Sequence, residues 1–207
     1  MASIPRATVA RLPLYLQCLE AMTEPIVSSD QLASTAGVNS AKVRKDLSYL
    51  HPQGTRGVGY DLAELKLLIA ARLGRTADWM VAVVGAGNLG QALAGFDGFA
   101  EHGFRVAALF DTDPAKVGTT IGGKKVYHVD DLEAVVGAEG IAIGMITTPE
   151  EPAQEVADKL AAAGVRSILN FAPAILKVPR GVEVRRVDLS TELQILSYYL
   201  NVEADES

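Results

Sequence analysis

The chain has 207 residues, enough for one large domain or two modest ones, and its 49% apolar and 21% charged residues exclude an intrinsically disordered protein. No apolar run reaches the roughly 18 to 20 residues that a membrane-spanning helix needs, and no signal-peptide pattern is present, so we expect no membrane partner. The single cysteine, Cys18, cannot form an internal disulfide and predicts a buried structural thiol in a cytoplasmic protein.

The net charge of −6 is unevenly distributed along the chain. Residues 1–76 hold nine Lys and Arg against six Asp and Glu, a net of +3, whereas residues 77–207 hold ten against nineteen, a net of −9. The overall charge argues against nucleic acid, but a locally basic segment can bind an anion. The asymmetry indicates an anion-binding module near the N-terminus without deciding what it binds.

Three short helices are predicted in the first 50 residues. Leucines recur at helical spacing behind Pro5, and Pro13 interrupts them, which predicts either a kink or two short helices meeting there. Ser28 and Gln31 form a capping box that begins a second helix, and Gly37 ends it. A third helix is expected over residues 40 to about 50. A helix, a turn containing glycine and another helix are typical of a helix-turn-helix.

The third helix has two different faces. Val43, Leu47 and Leu50 share one side and are expected to pack on the first two helices. The other side is small, polar and cationic, as suits a DNA major groove, although an ordinary helix with a solvated charged face would look the same. Lys45 is predicted to reach base edges, and Lys42 and Arg44 to contact phosphates. The predicted DNA-contacting residues of this helix are Ala41, Lys42, Arg44, Lys45, Ser48 and Tyr49.

Residues 54–60 read GTRGVGY, and three glycines around Arg56 predict a tight two-stranded turn with this arginine at its tip. After a recognition helix such a turn is typical of the wing of a winged helix, and Arg56 is predicted to enter the minor groove. A glycine-rich phosphate loop is the competing interpretation, but no strand leads into it. Asp61 and Glu64 then begin another helix, and the module is predicted to end near residue 76.

The stretch over residues 80–90 reads MVAVVGAGNLG, a short buried strand that leads into G-x-G-x-x-G spacing. This spacing predicts a turn that holds a dinucleotide pyrophosphate at the start of a helix. A second strand ends at Asp111, 21 residues after Gly90, where a carboxylate can accept a hydrogen bond from the ribose and repel the extra phosphate of NADP(H). A turn aspartate is the alternative role. The predicted loop residues are Gly85, Ala86, Gly87, Asn88, Leu89 and Gly90.

Strands and helices alternate in the rest of the chain, which predicts a parallel Rossmann-type sheet. Two later strands end in turns, and ligands of such sheets bind beyond the carboxyl ends of the strands. These turns are predicted to surround the nicotinamide, and their residues are Thr148, Pro149, Asn170, Phe171, Ala172 and Pro173. None of the three histidines stands beside a nucleophile or at metal-ligand spacing, so neither a catalytic residue nor a metal site is predicted.

The last helix, from about residue 189 to 201, is apolar on more than one side. Burial in its own domain would explain this pattern. Packing against a partner subunit explains it better, since a palindromic DNA site also requires a two-fold dimer. The predicted dimerisation residues are Leu189, Leu193, Leu196, Tyr199 and Leu200.

Several separated motifs resemble the Rex family of redox-sensing transcriptional repressors: RLPLY at residues 11–15, VRKDLSY at 43–49, the wing, the glycine loop and NFAP at 170–173. The resemblance implies a homodimer that binds inverted-repeat operators, senses NADH against NAD+ and exchanges its C-terminal helices between subunits. Gln17 stands where the family usually has an arginine, for which Asp188 is the candidate partner. Phe96 stands where some members have a tyrosine near the nicotinamide.

The predicted fold is therefore α/β, with a winged helix-turn-helix domain over residues 1–76, a Rossmann-type NAD(H)-binding domain over 77–187 and a C-terminal dimerisation helix and tail over 188–207. The predicted function is an NADH/NAD+-responsive repressor, released from operator DNA by NADH. An NAD-dependent oxidoreductase and a CoA- or nucleotide-binding regulatory protein are the alternatives. Replacing Asp111 would separate the last of these from an NADH sensor.

Overall fold

A computed structural model of the chain describes residues 4–55 and 57–205. The chain forms two compact units, Met1–Ala77 and Asp78–Ser207. Arg56, predicted at the tip of the wing, lies outside the described residues. Among the helices that are described, none is long and apolar enough to cross a membrane.

The N-terminal unit is a winged helix. Three strands form one antiparallel sheet in the order β1-β3-β2, and the helices pack over a core that includes Leu12, Leu47 and Leu65. Its elements are α1 (Arg6–Glu20), β1 (Ile26–Val27), α2 (Ser29–Ala36), α3 (Ser40–Ser48), β2 (Gly54–Thr55), β3 (Gly59–Asp61) and α4 (Leu62–Arg72).

The first helix runs without a break through Pro13, so the alternative of two short helices is wrong. Pro13 is exposed, whereas Leu12, Tyr15, Leu16 and Leu19 on the other side of α1 are buried. A proline inside a helix costs roughly 3 kcal/mol. Burying four large side chains contributes more than this, at roughly 1.5 to 3 kcal/mol each, and keeps the helix continuous.

The capping box and the glycine stop predicted between α1 and α3 are confirmed. The Gln31 amide donates to the Ser28 hydroxyl over 3.1 Å, and the Ser28 amide donates to the Gln31 side chain over 2.8 Å. Gly37 ends α2 in the left-handed conformation, with φ of 64°. Asn39 then caps α3, since its side chain accepts a hydrogen bond from the amide of Ala41 over 2.7 Å. These caps give α2 and α3 their short lengths and the sharp turn between them.

The C-terminal unit is built on a seven-stranded sheet in the order β10-β9-β8-β4-β5-β7-β6, in which every pairing but β6 with β7 is parallel. This confirms the predicted Rossmann-type sheet. Its elements are β4 (Trp79–Val84), α5 (Asn88–Ala94), α6 (Gly98–Glu101), β5 (Phe104–Asp111), β6 (Thr120–Ile121), β7 (Lys124–His128), a 3₁₀ turn (Val129–Asp131), α7 (Leu132–Glu139), β8 (Ile141–Ile146), α8 (Glu150–Ala162), β9 (Ser167–Asn170), β10 (Glu183–Arg186) and α9 (Leu189–Asp205).

The structure adds elements that the sequence did not indicate. His128 is the last residue of β7, where its ring accepts a hydrogen bond from the Asp130 amide. Strands β6, β7 and β10 have two, five and four residues, and short polar strands give little periodic signal. The central strands β4, β5, β8 and β9 are more apolar and carry the predicted turns at their carboxyl ends.

The last helix is exposed along the side chains that the structure describes. Residues 189–201 are all solvent-exposed, and Leu193, Leu196 and Leu200 have 66%, 59% and 68% of their surface accessible. The rings of Tyr198 and Tyr199, both on this helix, pack edge to face on each other and are also exposed. Burial of α9 within its own unit, one of the two explanations for its sequence, is therefore wrong.

Candidate functional site

The carboxyl ends of four neighbouring strands meet where the order of the sheet reverses. After β4 the chain continues to β5 on one side, and it later returns to β8 on the other. Val84 at the end of β4 is paired with Phe110 of β5 and with Ile146 of β8, and Ile146 is paired with Asn170 of β9. In open α/β sheets such a reversal opens the crevice that binds ligands. The glycine loop, Asp111 and the turns after β8 and β9 all lie at this edge.

The three glycines of the loop have different surroundings. A side chain at Gly90 would overlap the carbonyl oxygen of Gly85, and one at Gly85 would lie 2.9 Å from the Thr147 backbone. Gly85 also has φ of 108°, which other residues rarely adopt. A side chain at Gly87 would meet no described atom within 4 Å. Gly85 and Gly90 therefore close the loop against the sheet, and Gly87 faces the open space that a pyrophosphate requires.

This cradle fits a dinucleotide. Helix α5 begins at Asn88, immediately after Gly87, and no side chain of the described residues caps its first turn. The amides there are the groups that bind phosphate in dinucleotide-binding folds. A Cβ at Gly87 would occupy the space in which the phosphate must approach them.

The carboxylate of Asp111 ties the loop to the end of β5. One oxygen accepts from the amide of Ala86 over 2.8 Å and from Lys116 Nζ over 3.1 Å, and the other accepts from the Asp113 amide over 2.9 Å. Burial by itself would raise the pKa of Asp111, but the hydrogen bonds from Asp113, Lys116 and Ala86 outweigh it and hold that pKa below its ordinary value. Asp111 is thus an anion at neutral pH. It also caps a turn, the alternative role, while one lone-pair site, on the oxygen that accepts from Asp113, remains for a ribose hydroxyl.

Two residues beside this site were missed by the sequence reasoning. Thr147, at the end of β8, donates to the carbonyl oxygen of Gly85 over 2.7 Å and supports the loop from below. Lys116, in the turn after β5, pairs with Asp111 over 3.1 Å and neutralises part of its charge. A threonine at a strand end and a lysine in a polar turn are too common for either to be recognised from the sequence alone.

The turn after β9 is held by its own asparagine. Asn170 is 1% exposed, and its side chain bonds the amide and carbonyl of Ala172 and the carbonyl of Ala174. Asn170 therefore shapes the turn through its side chain, and Ala172 is buried within it. Phe171 packs into the core beneath the sheet edge and is half-buried, while Pro173 is exposed. The part that these residues and Thr148 and Pro149 take in binding stays a prediction.

Phe96 lies apart from these turns. It follows the far end of α5, which at about 1.5 Å per residue is roughly 10 Å from the glycine loop. Phe96 is 57% exposed, and its ring packs edge to face on Phe99, with 4.9 Å between the ring centres. The structure does not bring Phe96 to the carboxyl edge of the sheet within this chain, so its predicted contact with the nicotinamide is left as a prediction.

The N-terminal unit presents the other predicted site. Val43 and Leu47 of α3 are fully buried, whereas the opposite face is open. Arg44 comes no closer than 3.9 Å to Asp30, and both side chains are more than half exposed, so this ion pair leaves the arginine accessible. On that face Ala41, Lys42, Arg44, Lys45 and Ser48 are exposed and Tyr49 is half-buried.

The predicted wing is an antiparallel hairpin, with Gly54 paired to Tyr60 and Thr55 to Gly59. Gly59 has φ of 134°, and any side chain there would overlap the carbonyl of Val27 on the neighbouring strand β1, so only glycine fits. Between the wing and α3 lies a groove of about 570 Å³. Arg44, Ser48, His51, Thr55 and Tyr60 are among the residues that line it.

The metal and thiol predictions can be compared with the parts of the chain that the structure describes. There, no group of three or more His, Cys, Asp or Glu side chains is arranged to hold a metal ion. Cys18 is buried as expected, and burial raises the pKa of its thiol. Asp188, the candidate partner for position 17, pairs with Arg186 within this chain and accepts a hydrogen bond from the Ser190 amide at the start of α9; a contact between Asp188 and position 17 of another subunit stays a prediction.

A winged helix joined to a dinucleotide-type Rossmann unit defines a class of ligand-responsive DNA-binding proteins. The family model described as "CoA binding domain" matches residues 76–174, and the one described as "Putative DNA-binding protein N-terminus" matches residues 3–48. The chain is 60% identical over 206 residues to the redox-sensing transcriptional repressor Rex of Streptomyces griseus subsp. griseus, covering 98% of this chain and 81% of that protein. It is 48% identical over 198 residues to Rex of Desulfitobacterium hafniense, covering 94% of each.

Solved structures agree with these relatives. The crystal structure of RSP in complex with β-NAD+ and operator DNA is 35% identical, with a TM-score of 0.91 over 99% of this chain and 95% of that one. RSP in complex with β-NADH gives a TM-score of 0.87 at 34% identity, over 99% and 97% of the two chains. The chain belongs to the Rex family of redox-sensing transcriptional repressors, which confirms the resemblance seen in the motifs.

Proposed function

We propose that the chain is a transcriptional repressor that binds inverted-repeat operator DNA through its winged helix and is released when NADH binds to its Rossmann-type unit. The observation that carries this proposal is the likeness over nearly the whole chain to RSP, whose complexes hold β-NAD+ with operator DNA in one case and β-NADH in another. Relatives named as redox-sensing repressors support the same function. A repressor acts on the chromosome, which favours a cytoplasmic location.

Within this proposal the glycine loop over residues 85–90 holds the pyrophosphate, and Asp111 accepts a hydrogen bond from a ribose hydroxyl. The open space at Gly87 and the lone-pair site left on Asp111 support these roles. The bound dinucleotide supplies a ring that is cationic when oxidised and neutral when reduced. Phe171, Ala172 and Pro173 add no charge to the turn after β9, and an apolar wall favours the neutral ring because burying an unpaired cation is costly.

Residues 41–49 and the wing bind the operator in this proposal, with residues 1–76 as the DNA-binding domain, 77–187 as the NAD(H)-binding domain and 188–207 as the dimerisation segment. The exposed cationic face of α3 supports the first role. The exposed stripe of α9 supports a homodimer in which Leu189, Leu193, Leu196, Tyr199 and Leu200 pack into a partner subunit. Two recognition helices related by a two-fold axis match an inverted repeat.

NADH and DNA are coupled because each shifts the same equilibrium between dimer conformations. If NADH weakens operator binding tenfold, operator DNA must weaken NADH binding tenfold, a coupling of about 1.4 kcal/mol. We assign no enzymatic step to the chain, and the names of its relatives as repressors support this.

Binding of CoA is the second candidate, favoured by the family model that covers residues 76–174. CoA carries a phosphate on its ribose, and the Asp111 anion at the end of β5 would repel it. The geometry therefore favours NADH over CoA at this site, and the same repulsion favours NADH over NADPH.

The proposal is tested with a fluorescently labelled duplex that the protein itself selects from a randomised library. Anisotropy should report tight, sequence-dependent binding that NADH weakens at least tenfold, with little effect from NAD+, NADPH or CoA. Identical operator affinity with and without saturating NADH would contradict the proposal. Release by CoA alone would favour the second candidate.

A further inference from the structure

A buried carboxylate in the recognition helix is not used by either of the sites described above. Asp46 of α3 is 2% exposed, and it accepts four hydrogen bonds, all from α1. Arg11 donates two of them, from Nε and Nη2 over 2.7 Å each. The hydroxyls of Thr8 and Tyr15 each donate one over 2.8 Å. These four side chains are called the Asp46 cluster below.

The cluster is charged and fully hydrogen-bonded. Burial by itself would raise the pKa of Asp46, but the hydrogen bonds, the strongest from Arg11, outweigh it and hold that pKa below its ordinary value. Burial and the same carboxylate raise the pKa of Tyr15 to about 12. At neutral pH the cluster is thus a carboxylate held by a guanidinium, a phenol and a hydroxyl.

The four hydrogen bonds to Asp46 fix the rotation of α3 about its own axis, which hydrophobic packing alone does not fix. Thr8, Arg11 and Tyr15 lie three and four residues apart, on one face of α1, and grip both oxygens of Asp46. The buried Val43 and Leu47 also hold α3 to the domain, but apolar contacts are non-directional and tolerate small rotations. The four hydrogen bonds to the two carboxylate oxygens of Asp46 weaken as soon as α3 rotates about its axis.

A small rotation of α3 about its own axis displaces the side chains on its outer face. Side-chain tips lie about 5 to 6 Å from a helix axis, so a rotation of about 10° moves the tip of Lys45 by about 1 Å. Hydrogen bonds are lost over such a displacement, since their useful range spans only about 0.5 Å. Contact with phosphates is more tolerant because it is largely electrostatic.

We propose that the Asp46 cluster orients α3 on α1 so that the outer face of α3 can read base edges, which makes Thr8, Arg11, Tyr15 and Asp46 positioning residues for sequence discrimination. The inference rests on the proposed DNA-binding function. An apolar set of similar volume would hold the two helices together about as strongly, because buried ion pairs contribute little net stability. Such an apolar set would not fix the rotation of α3 about its own axis.

The test is a variant in which the whole cluster is made apolar: Thr8→Val, Arg11→Met, Tyr15→Phe and Asp46→Leu together. One cation and one anion are removed, so the net charge and the electrostatic attraction to DNA are unchanged. Stability is measured by urea unfolding, and discrimination is the ratio of affinities for the selected duplex and for a scrambled duplex of equal composition. The control variant, Glu20→Gln with Arg75→Gln, removes a 2.7 Å ion pair elsewhere in this unit.

The apolar variant is expected to fold, to bind the scrambled duplex as the wild type does and to lose about tenfold in discrimination, the cost of about one base contact. The control should keep full discrimination. A folded apolar variant with unchanged discrimination overturns the inference. Wild-type protein that selects no sequence at all overturns the proposed function instead.

If the apolar variant does not fold, Thr8→Val with Tyr15→Phe decides the question. This double variant keeps the ion pair of Arg11 with Asp46 and removes two of the four hydrogen bonds. A several-fold loss of discrimination, with scrambled-duplex affinity unchanged, supports orientation by the cluster. Wild-type discrimination in this variant overturns it.

Discussion

Replacing Asp111 with alanine is expected to weaken NADH binding and to raise the affinity for NADPH. The carboxylate bonds the glycine loop through the Ala86 amide and leaves room for a ribose hydroxyl. Hydrogen bonds to a charged group contribute about 1.5 to 3 kcal/mol each, so losing the ribose contact alone should reduce NADH affinity roughly 10- to 100-fold.

The gain for NADPH comes from Lys116. In the wild type its Nζ lies 3.1 Å from Asp111 and 3.8 Å from Asp113, and its side chain is one-third exposed. Without the Asp111 carboxylate, this ammonium is placed to pair with the additional phosphate of NADPH. Adding Lys116→Ala to Asp111→Ala should therefore abolish the gain for NADPH while leaving NADH binding as weak as in the single variant.

Isothermal titration with NADH and NADPH measures both effects. A matched control is Asp78→Ala, which removes an exposed carboxylate paired with Arg105 just before β4, at the opposite edge of the sheet from the loop. The control should bind both nucleotides as the wild type does. If Asp111→Ala keeps both wild-type NADH affinity and wild-type selectivity, the carboxylate does not contact the ribose, and its only role is to hold the loop and the turn.

Three further results are expected. Gly87→Ala should weaken NADH binding at least tenfold with little change in thermal stability, because a Cβ there meets open space in the protein but blocks the pyrophosphate. Gly137→Ala, which also places a Cβ in open space, is the control. Equal NADH affinity in the two variants would count against the role of the glycine loop in binding the pyrophosphate. Leu196→Glu with Leu200→Glu should give monomers in sedimentation, because two charges would have to be buried in a subunit interface; an intact dimer would contradict the role of α9. Asp46 has a lowered pKa in the folded state, so its contribution to the unfolding free energy should be full above the pKa of an unfolded aspartate and disappear as pH falls through the folded-state pKa. The unfolding free energy of Asp46→Asn should lack this pH-dependent contribution. Identical pH profiles of wild type and variant would refute it.

Features with a local physical cause were predictable from the sequence. The capping box at Ser28, the left-handed Gly37 and the glycine loop each depend on residues within a few positions of one another. Central strands were recognisable because buried parallel strands are continuous apolar runs. Whether Pro13 divides α1 was left open by the sequence because the packing that offsets this proline involves residues distant in the sequence.

Side-chain partners distant in the sequence were not predictable. Asp46 meets Thr8, 38 residues away, and Thr147 meets Gly85, 62 residues away. In the sequence, Asp46 lies at the border between the apolar and the polar face of α3, and a charged residue at such a position is usually exposed to solvent. Only the packing of α1 against α3 turns it into a buried acceptor. The motifs at residues 11–15 and 43–49 contained Arg11, Tyr15 and Asp46 without indicating that they touch.

The glycine loop by itself is compatible with a dehydrogenase, but its environment argues for a sensor. Contacts to the pyrophosphate and ribose are the same for NADH and NAD+, so neither the loop nor Asp111 can distinguish the two redox states. Discrimination must come from what surrounds the nicotinamide. Within one chain the turn after β9 offers a half-buried Phe171 and an exposed Pro173, while the larger exposed apolar surface lies on α9. In the proposed homodimer, a second subunit would add apolar cover to the nicotinamide, and this contact would link the redox state of the nucleotide to the arrangement of the dimer.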